Sequence, residues 1–579
     1  MADGLAEPGL PATRVNGFHI IPVVIPRPWR VRAIALAVLA LLTSAATCNP
    51  NSITTGPLLA KDQTLRVVLD DQPQTLDPGQ TQYPYETAVL RTIAEPLLKP
   101  LADLSGVSPA AAESYETQHD GTVYVFHLRR TAQYNDGQPV KAQDFVYAWQ
   151  RLIDPRQAAP TETFFAAAVF NGAQVAVLDP QRDKDRIDPA LGTLGLKALD
   201  DLTFQVTLAR SDPAFIWIAA MPAGAPIRAD VVGRYGDRAW AAKPESLITN
   251  GPFMVGAMTA NTSVKVVRNP HYWGGRPVLT AIDFEIVNDG AAALARYKSG
   301  RLDEMGVQPA QATQVAGSAS LLKELVKTPA LTVYWMAFRL SSPPLDNARL
   351  RQAIAEAIDR EAFVAQVFQG QAMPAETFIP KGMLGYTPGL GTTQHFDVVQ
   401  ARASLAASGL SASQLMGIKL SYDQTSDFAK ATAAFVRDQV KTNLGVEITL
   451  DGVDTNTMSS RLGSGDFQIA GPVGWTADYP DYSDWYPIFL STNSNNFDLY
   501  HNTQYDHFVN AAATDIQAGR RGQEYQQAQQ LLVGDAPVAF LAQSTSWNLV
   551  RSYVRGVTTS AVDDWPGELF PAQIYIAQH

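Results

Sequence analysis

Hydrophobic and polar positions change period several times along the chain, and each change predicts an element. In VYVFHL, residues 123–128, Val123, Val125 and His127 alternate with Tyr124, Phe126 and Leu128, the period of a strand. Asn135-Asp136-Gly137 makes a turn. Residues 141–153 then set Phe145, Ala148, Trp149 and Leu152 on one face of a helix that Asp154-Pro155 ends. Residues 65–69 form a short β-rich run. Residues 248–287 read as strand, turn, strand, loop, strand, with Asn250-Gly251-Pro252 and Asn269-Pro270 as punctuation, and 291–300 as a short helix. From 331 a strand enters a turn at Pro343-Pro344, followed by helices over 347–358 and 360–368, the second closed by Gly370. Residues 396–409 predict a helix, and 428–450 a helix running into a strand. No period of about 20–50 residues marks a repeat array. Strands and helices alternate without a strict βαβ rhythm, which predicts α/β lobes with mixed sheets.

Length changes the picture first. A chain of 579 residues exceeds what one core supports and predicts two or three lobes. A net charge of −11 argues against a nucleic-acid partner, whose phosphates need a basic face. Cys48 is the only cysteine, so the chain can form neither an internal disulfide nor a cysteine-rich metal site. Before it, Arg27, Arg30 and Arg32 precede an apolar run over 33–42 and the small residues Ser44, Ala45 and Ala46. This is the layout of a secretory signal, too short for a transmembrane helix of about 20 residues. The expectation is a leader over 1–48, with Cys48 as a bacterial lipoprotein anchor. Thr47 and Ala45 depart from the usual lipoprotein pattern. Residues 49–61, small, polar and proline-marked, read as a tether.

The densest candidate chemistry is GWTADYPDYSDWY, residues 474–486, where Asp478, Asp481 and Asp484 stand among Trp475, Tyr479, Tyr482, Trp485 and Tyr486. Pro480 and Pro487 exclude a plain helix or a central strand. An enzyme finds little support: G-x-S-x-G, G-x-x-x-x-G-K-[ST] and H-E-x-x-H are absent from the sequence. The eight histidines are scattered, and the spacing of His501 and His507 suits no metal-ligand pair.

These passages resemble the family-5 extracellular solute-binding proteins of bacterial ABC importers, the oligopeptide-, dipeptide- and nickel-binding type. The resemblance rests on FHLRRTAQYNDGQPVKAQDFVYAWQRLIDP, TNGPF with VRNPHYWGG, YKSGRLDE, NARLRQAIAEAIDREAFV, GWTADYPDYSDW and LLVGDAPVAFLAQSTSWNLVRSYVRGV, in the family's order. It implies a periplasmic-binding-protein-like α/β fold of two hinged lobes, with an extra domain inserted in the first. Lobe I would comprise 62–94, 217–330 and 546–579, the insert 95–216, and lobe II 331–545. The implied function is a receptor, not an enzyme, that captures peptides in a closing cleft and delivers them to membrane permease subunits. It would work as an exported monomer at the cell surface or in the periplasm, without a cofactor or a metal. The alternatives are the same fold binding nickel, a metallocofactor or a sugar, or a sensor without transport.

The resemblance also implies site residues. Asp478 would pair with the peptide's α-ammonium and Trp475 would lie beside the ligand. The backbone of Gly474, Thr476 and Ala477 would pair with the peptide main chain. Gln82, Tyr83 and Tyr85 would edge the first lobe's side of the cleft, and Phe253 and Tyr334 would supply aromatic contacts. Asp481 and Asp484 read as turn and cap residues on the rim. Asn456 and Pro472 stand where some oligopeptide receptors have a pocket Trp and an Arg, so no carboxylate anchor is visible.

Overall fold

The strand Thr64–Leu69 alternates half-buried and buried side chains and pairs in parallel with Ala281–Ile286, from Thr64 opposite Ala281 to Leu69 opposite Ile286. Ser263–Arg268 and Phe253–Thr259 add antiparallel strands to complete a four-stranded mixed sheet. The computed structural model describes residues 58–390 and 394–579. Cys48, the leader over 1–48 and most of the tether over 49–61 lie outside the described residues.

The 123–128 alternation does form a strand, Val123–Leu128, inside a second four-stranded sheet in the order Ala112–Gln118, Val123–Leu128, Thr203–Thr207, Leu196–Asp200. Ala142–Ile153 is the predicted helix. It buries Phe145, Ala148, Trp149 and Leu152, and the Trp149 ring meets Phe165, Phe204 and Phe215 edge-on. One buried cluster runs from Leu65 and Val67 of the first sheet through Phe126, Trp149 and Phe204 of the second to Phe284 and Trp565. The two sheets therefore share a continuous core.

Besides two short two-stranded pairs, Leu98–Pro100 with Val107–Pro109 and Val554–Arg555 with Tyr575–Ile576, the remaining strands form a seven-stranded mixed sheet. Its path is Glu304–Gly306, Val538–Val550, Leu325–Phe338, Ile469–Thr476, Ile418–Asp423, Ile448–Val453, with Ala372–Pro374 also pairing Val538–Val550. The helices over Ala348–Glu356, Arg360–Gln366 and Val398–Ala407 begin on Asn347, Asp359 and Asp397, whose side chains accept hydrogen bonds from first-turn N–H groups. Two strands are unusually long: Leu325–Phe338 has 14 residues and Val538–Val550 has 13. Sequence predicts a strand only from 331, because Pro329 cannot donate to a ladder. The structure places Pro329 opposite Thr545, where the register shifts before Val333 meets Gln543, so the missing donor falls at an irregularity. The shift also divides the cores. Trp547 and Leu549 pack with Val287, Tyr297 and Met305, whereas Leu331, Val333, Val538 and Phe540 pack with Trp485, Tyr486 and Tyr525. The result is two α/β lobes joined through a pair of adjacent strands.

Candidate functional site

The segment over 474–486 begins as the last residues of the Ile469–Thr476 strand. Its inner edge is held by Leu325–Phe338: Thr332 faces Thr476, Val333 faces Trp475 and Tyr334 faces Gly474, with the Thr332 and Thr476 hydroxyls 2.9 Å apart. Its outer edge pairs with Ile418–Asp423 only at Ile469 and Ala470. Among the described residues, no strand occupies that edge from Val473 to Thr476. Gly474 and Thr476 are exposed. Gly474 is required by close approach, since a Cβ there would lie 2.8 Å from the Tyr334 ring. Tyr334, half-buried, packs at 5.1 Å from Phe428 and 5.7 Å from Phe368.

Beyond the strand, Pro480 turns the chain and two short 3-10 turns follow, Tyr482–Asp484 and Tyr486–Phe489. The turn brings Asp484 back beneath Asp478. One Asp484 oxygen accepts both the Trp475 indole N–H and the Asp478 backbone N–H, each at 3.1 Å. Burial first, and the Asp478 charge second, push the Asp484 carboxyl up to about 8. The Asp478 side chain is solvent-accessible yet sufficiently enclosed that desolvation raises its carboxyl also. Among the described residues, no cationic side chain forms an ion pair with Asp478. An accessible carboxylate without a cation, backed by a second carboxyl that holds its proton, is suited to a cationic group brought by a ligand.

Asp481 and Asp484 are not rim residues. They are 1 % and 8 % exposed. Asp481 does cap the following turn, accepting the Ser483 N–H at 2.9 Å. Its main partner is Arg521, 40 residues on, which approaches both carboxylate oxygens and lies over the Tyr482 and Tyr525 rings. Trp485 and Tyr486 are packing residues, fully buried. Phe253 is corrected too. It is 0 % exposed in the shared core of the first two sheets, because its strand turns that side chain inward, so it presents no surface to a ligand.

The structure thus gathers Tyr334, Gly474, Trp475, Thr476, Ala477 and Asp478 at one place. Gln82, Tyr83 and Tyr85 stand elsewhere, at the start of the Pro84–Ile93 helix, where the Tyr83 and Tyr85 rings stack at 5.2 Å. Glu86 accepts the N–H groups of Gln82 and Tyr83 and fixes that corner. Among the described residues, no group of three or more His, Cys, Asp or Glu is placed to hold a metal.

Two lobes joined by paired strands, with an open strand edge and an accessible carboxylate on one of them, are the build of a protein that binds a solute by closing on it. The chain belongs to the bacterial extracellular solute-binding proteins, family 5, whose sequence profile matches residues 106–497. It is 30 % identical over 549 residues to the probable deoxycholate-binding periplasmic protein YgiS of Escherichia coli, covering 93 % of this chain and 98 % of that one. It is 29 % identical over 557 residues to the periplasmic oligopeptide-binding protein OppA of Salmonella typhimurium, covering 94 % and 98 %. Its fold overlays the unliganded open form of the periplasmic murein tripeptide binding protein MppA with a TM-score of 0.80, at 28 % identity over 91 % of this chain and 99 % of that one. Against a second structure of that protein, from Escherichia coli, the TM-score is 0.65 at the same 28 % identity, over 90 % and 100 %.

Proposed function

We propose that the protein captures peptides between its lobes and passes them to a membrane permease. The observation that carries this reading is the accessible, unpaired Asp478 carboxylate at the end of a strand whose outer edge is free. A peptide's α-ammonium supplies the missing cation. Its main chain supplies the missing strand partner, giving affinity without reading side chains. The name of the Salmonella relative, an oligopeptide-binding protein, agrees with this chemistry. The name of YgiS raises a second candidate, deoxycholate. That steroid is an anion, and the Asp478 carboxylate would repel it. Nickel or a metallocofactor lacks a ligand cluster among the described residues, and the strand edge offers a sugar no particular advantage. Native mass spectrometry of protein purified from its own host, followed by calorimetry with the recovered compound, separates these readings. Peptide in the cleft supports the proposal, and deoxycholate or nickel bound in place of peptide overturns it.

The same reading places the protein outside the cytoplasm, anchored through Cys48 and working as a monomer. The relatives named above are periplasmic proteins, and no helix among the described residues is long and apolar enough to cross a membrane. Cys48→Ser should release the protein from the membrane fraction, and a wild-type protein that is already free would remove the anchor. The division into lobe I (62–94, 217–330, 546–579), insert (95–216) and lobe II (331–545) is proposed on the same footing. Its boundaries at 330/331 and 545/546 fall beside the register shift of the two long strands.

A further inference from the structure

The two faces of the seven-stranded sheet differ beside its free edge. Along Leu325–Phe338 successive side chains point to opposite faces. Val333 and Trp335 pack with Trp485 and Tyr486 on one face, and Met336 packs with Phe363 and Phe435 on the other. Tyr334 belongs to that second face. It stands opposite Gly474, and its ring lies across the glycine, 2.8 Å from where a Cβ would be. Phe368 follows the Arg360–Gln366 helix, and its ring lies 5.7 Å from that of Tyr334. Phe428 reaches the same place from a third segment. The Ile418–Asp423 strand pairs with Ile469–Thr476 only at Ile469 and Ala470 and then leaves its edge. The helix that comes next, Asp427–Leu444, carries Phe428 in its first turn and sets that ring 5.1 Å from both Tyr334 and Phe368.

These rings continue an aromatic stack that begins in the core. Phe435 and Phe363 are buried, with centroids 5.3 Å apart, and Phe363 lies 5.7 Å from Phe368. Phe368, Tyr334 and Phe428 are only half-buried. The stack therefore leaves apolar ring surface open to water, and it does so beside the strand edge over 473–476 that no strand among the described residues fills. A peptide added along that edge sends alternate side chains to each face of the sheet. Those sent to the Gly474 face meet the rings, where an apolar side chain loses contact with water and gains aromatic contacts. Asp478 lies beyond Gly474 along the chain, so with the α-ammonium at Asp478 the rings face a residue after the first.

We propose that Tyr334, Phe368 and Phe428 form an aromatic platform that receives one side chain of the bound peptide, so that the receptor selects peptides carrying an aromatic or large aliphatic residue after the first position. This rests on the peptide reading above and names its substrate class. The test is calorimetry with tri-, tetra- and pentaalanine, and with the same peptides carrying phenylalanine or glutamine at each position after the first. At one position phenylalanine should bind roughly tenfold or more tightly than glutamine. Phe428→Ala should bring that ratio within about twofold. The milder Phe428→Leu, which keeps an apolar side chain at the helix start, should leave a ratio between those of wild type and Phe428→Ala. Equal affinity for phenylalanine and glutamine at every position overturns the platform and leaves the peptide reading standing, as does a ratio unchanged in both variants. Binding of none of these peptides overturns the peptide reading and the platform with it.

Discussion

The backbone N–H of Asp478 donates to the Asp484 carboxylate at 3.1 Å, so the carboxylate offered to a ligand is positioned by a second carboxyl that is itself reluctant to ionise. If a peptide ammonium completes this arrangement, Asp478→Asn strands it in a closing cleft. Breaking one partner of a buried charge pair costs about 3–5 kcal/mol, roughly two to three orders of magnitude in affinity. N-acetylation of the peptide should harm binding to wild type far more than to Asp478→Asn. Calorimetry on both proteins checks this, and equal harm to both would reduce Asp478 to a turn residue.

Peptide binding should expel a proton. At neutral pH the Asp484 carboxyl, raised to about 8, mostly keeps its proton. An ammonium beside Asp478 favours the ionised form and lowers that value. Calorimetry near pH 7 in buffers of different ionisation enthalpy should show release approaching ~1 proton per peptide, largely lost in Asp484→Asn.

The free protein's stability carries the opposite face of the same shift. The folded value of Asp484 lies above the unfolded one of about 3.9, so the folded state holds the extra proton. That stabilisation is full below the unfolded value and is lost as pH rises through about 8. Thermal unfolding across this range should fall less steeply in Asp484→Asn than in wild type.

Asp481 should matter for stability rather than for the ammonium. Arg521→Gln leaves its carboxylate buried and unpaired, at a cost of about 3–5 kcal/mol. The double variant Asp481→Asn/Arg521→Gln should recover part of that loss. Denaturant unfolding of the three proteins tests it, and strict additivity would show that the two residues do not act as a pair.

Gly474→Ala should weaken binding by about 1–3 kcal/mol, since its Cβ meets the Tyr334 ring at 2.8 Å and forces that ring into the strand edge. Adding Tyr334→Ala should restore part of the affinity. Peptide calorimetry reads both steps, and no recovery would mean that glycine serves the backbone alone.

Much of the fold was legible because periodicity reports local burial. The Val123–Leu128 strand and the Ala142–Ile153 helix fall where alternation and the apolar stripe place them. The long strand through Pro329 was missed because a proline reads as an end when its surroundings are unseen, and a register shift excuses it. Within the site, the grouping of Gly474, Trp475 and Asp478 is local and was visible. The Asp481–Arg521 pair was not, since nothing in either segment points across 40 residues. Phe253 failed for a simpler reason: an aromatic at a strand start reads alike whether it faces a cleft or a core.

The two adjacent strands that join the lobes bear on how affinity is set. A ligand that holds only the closed arrangement binds with its intrinsic strength scaled by the fraction of molecules already closed. If the lobes turn where the pairing shifts, beside Pro329 and Thr545, that fraction is set just outside the stretch Thr332–Tyr334 that faces the site strand. Substitutions there retune every ligand by the same factor and leave the ranking among ligands untouched. Selectivity and overall strength are thus written in separate parts of the chain, and each can drift without disturbing the other.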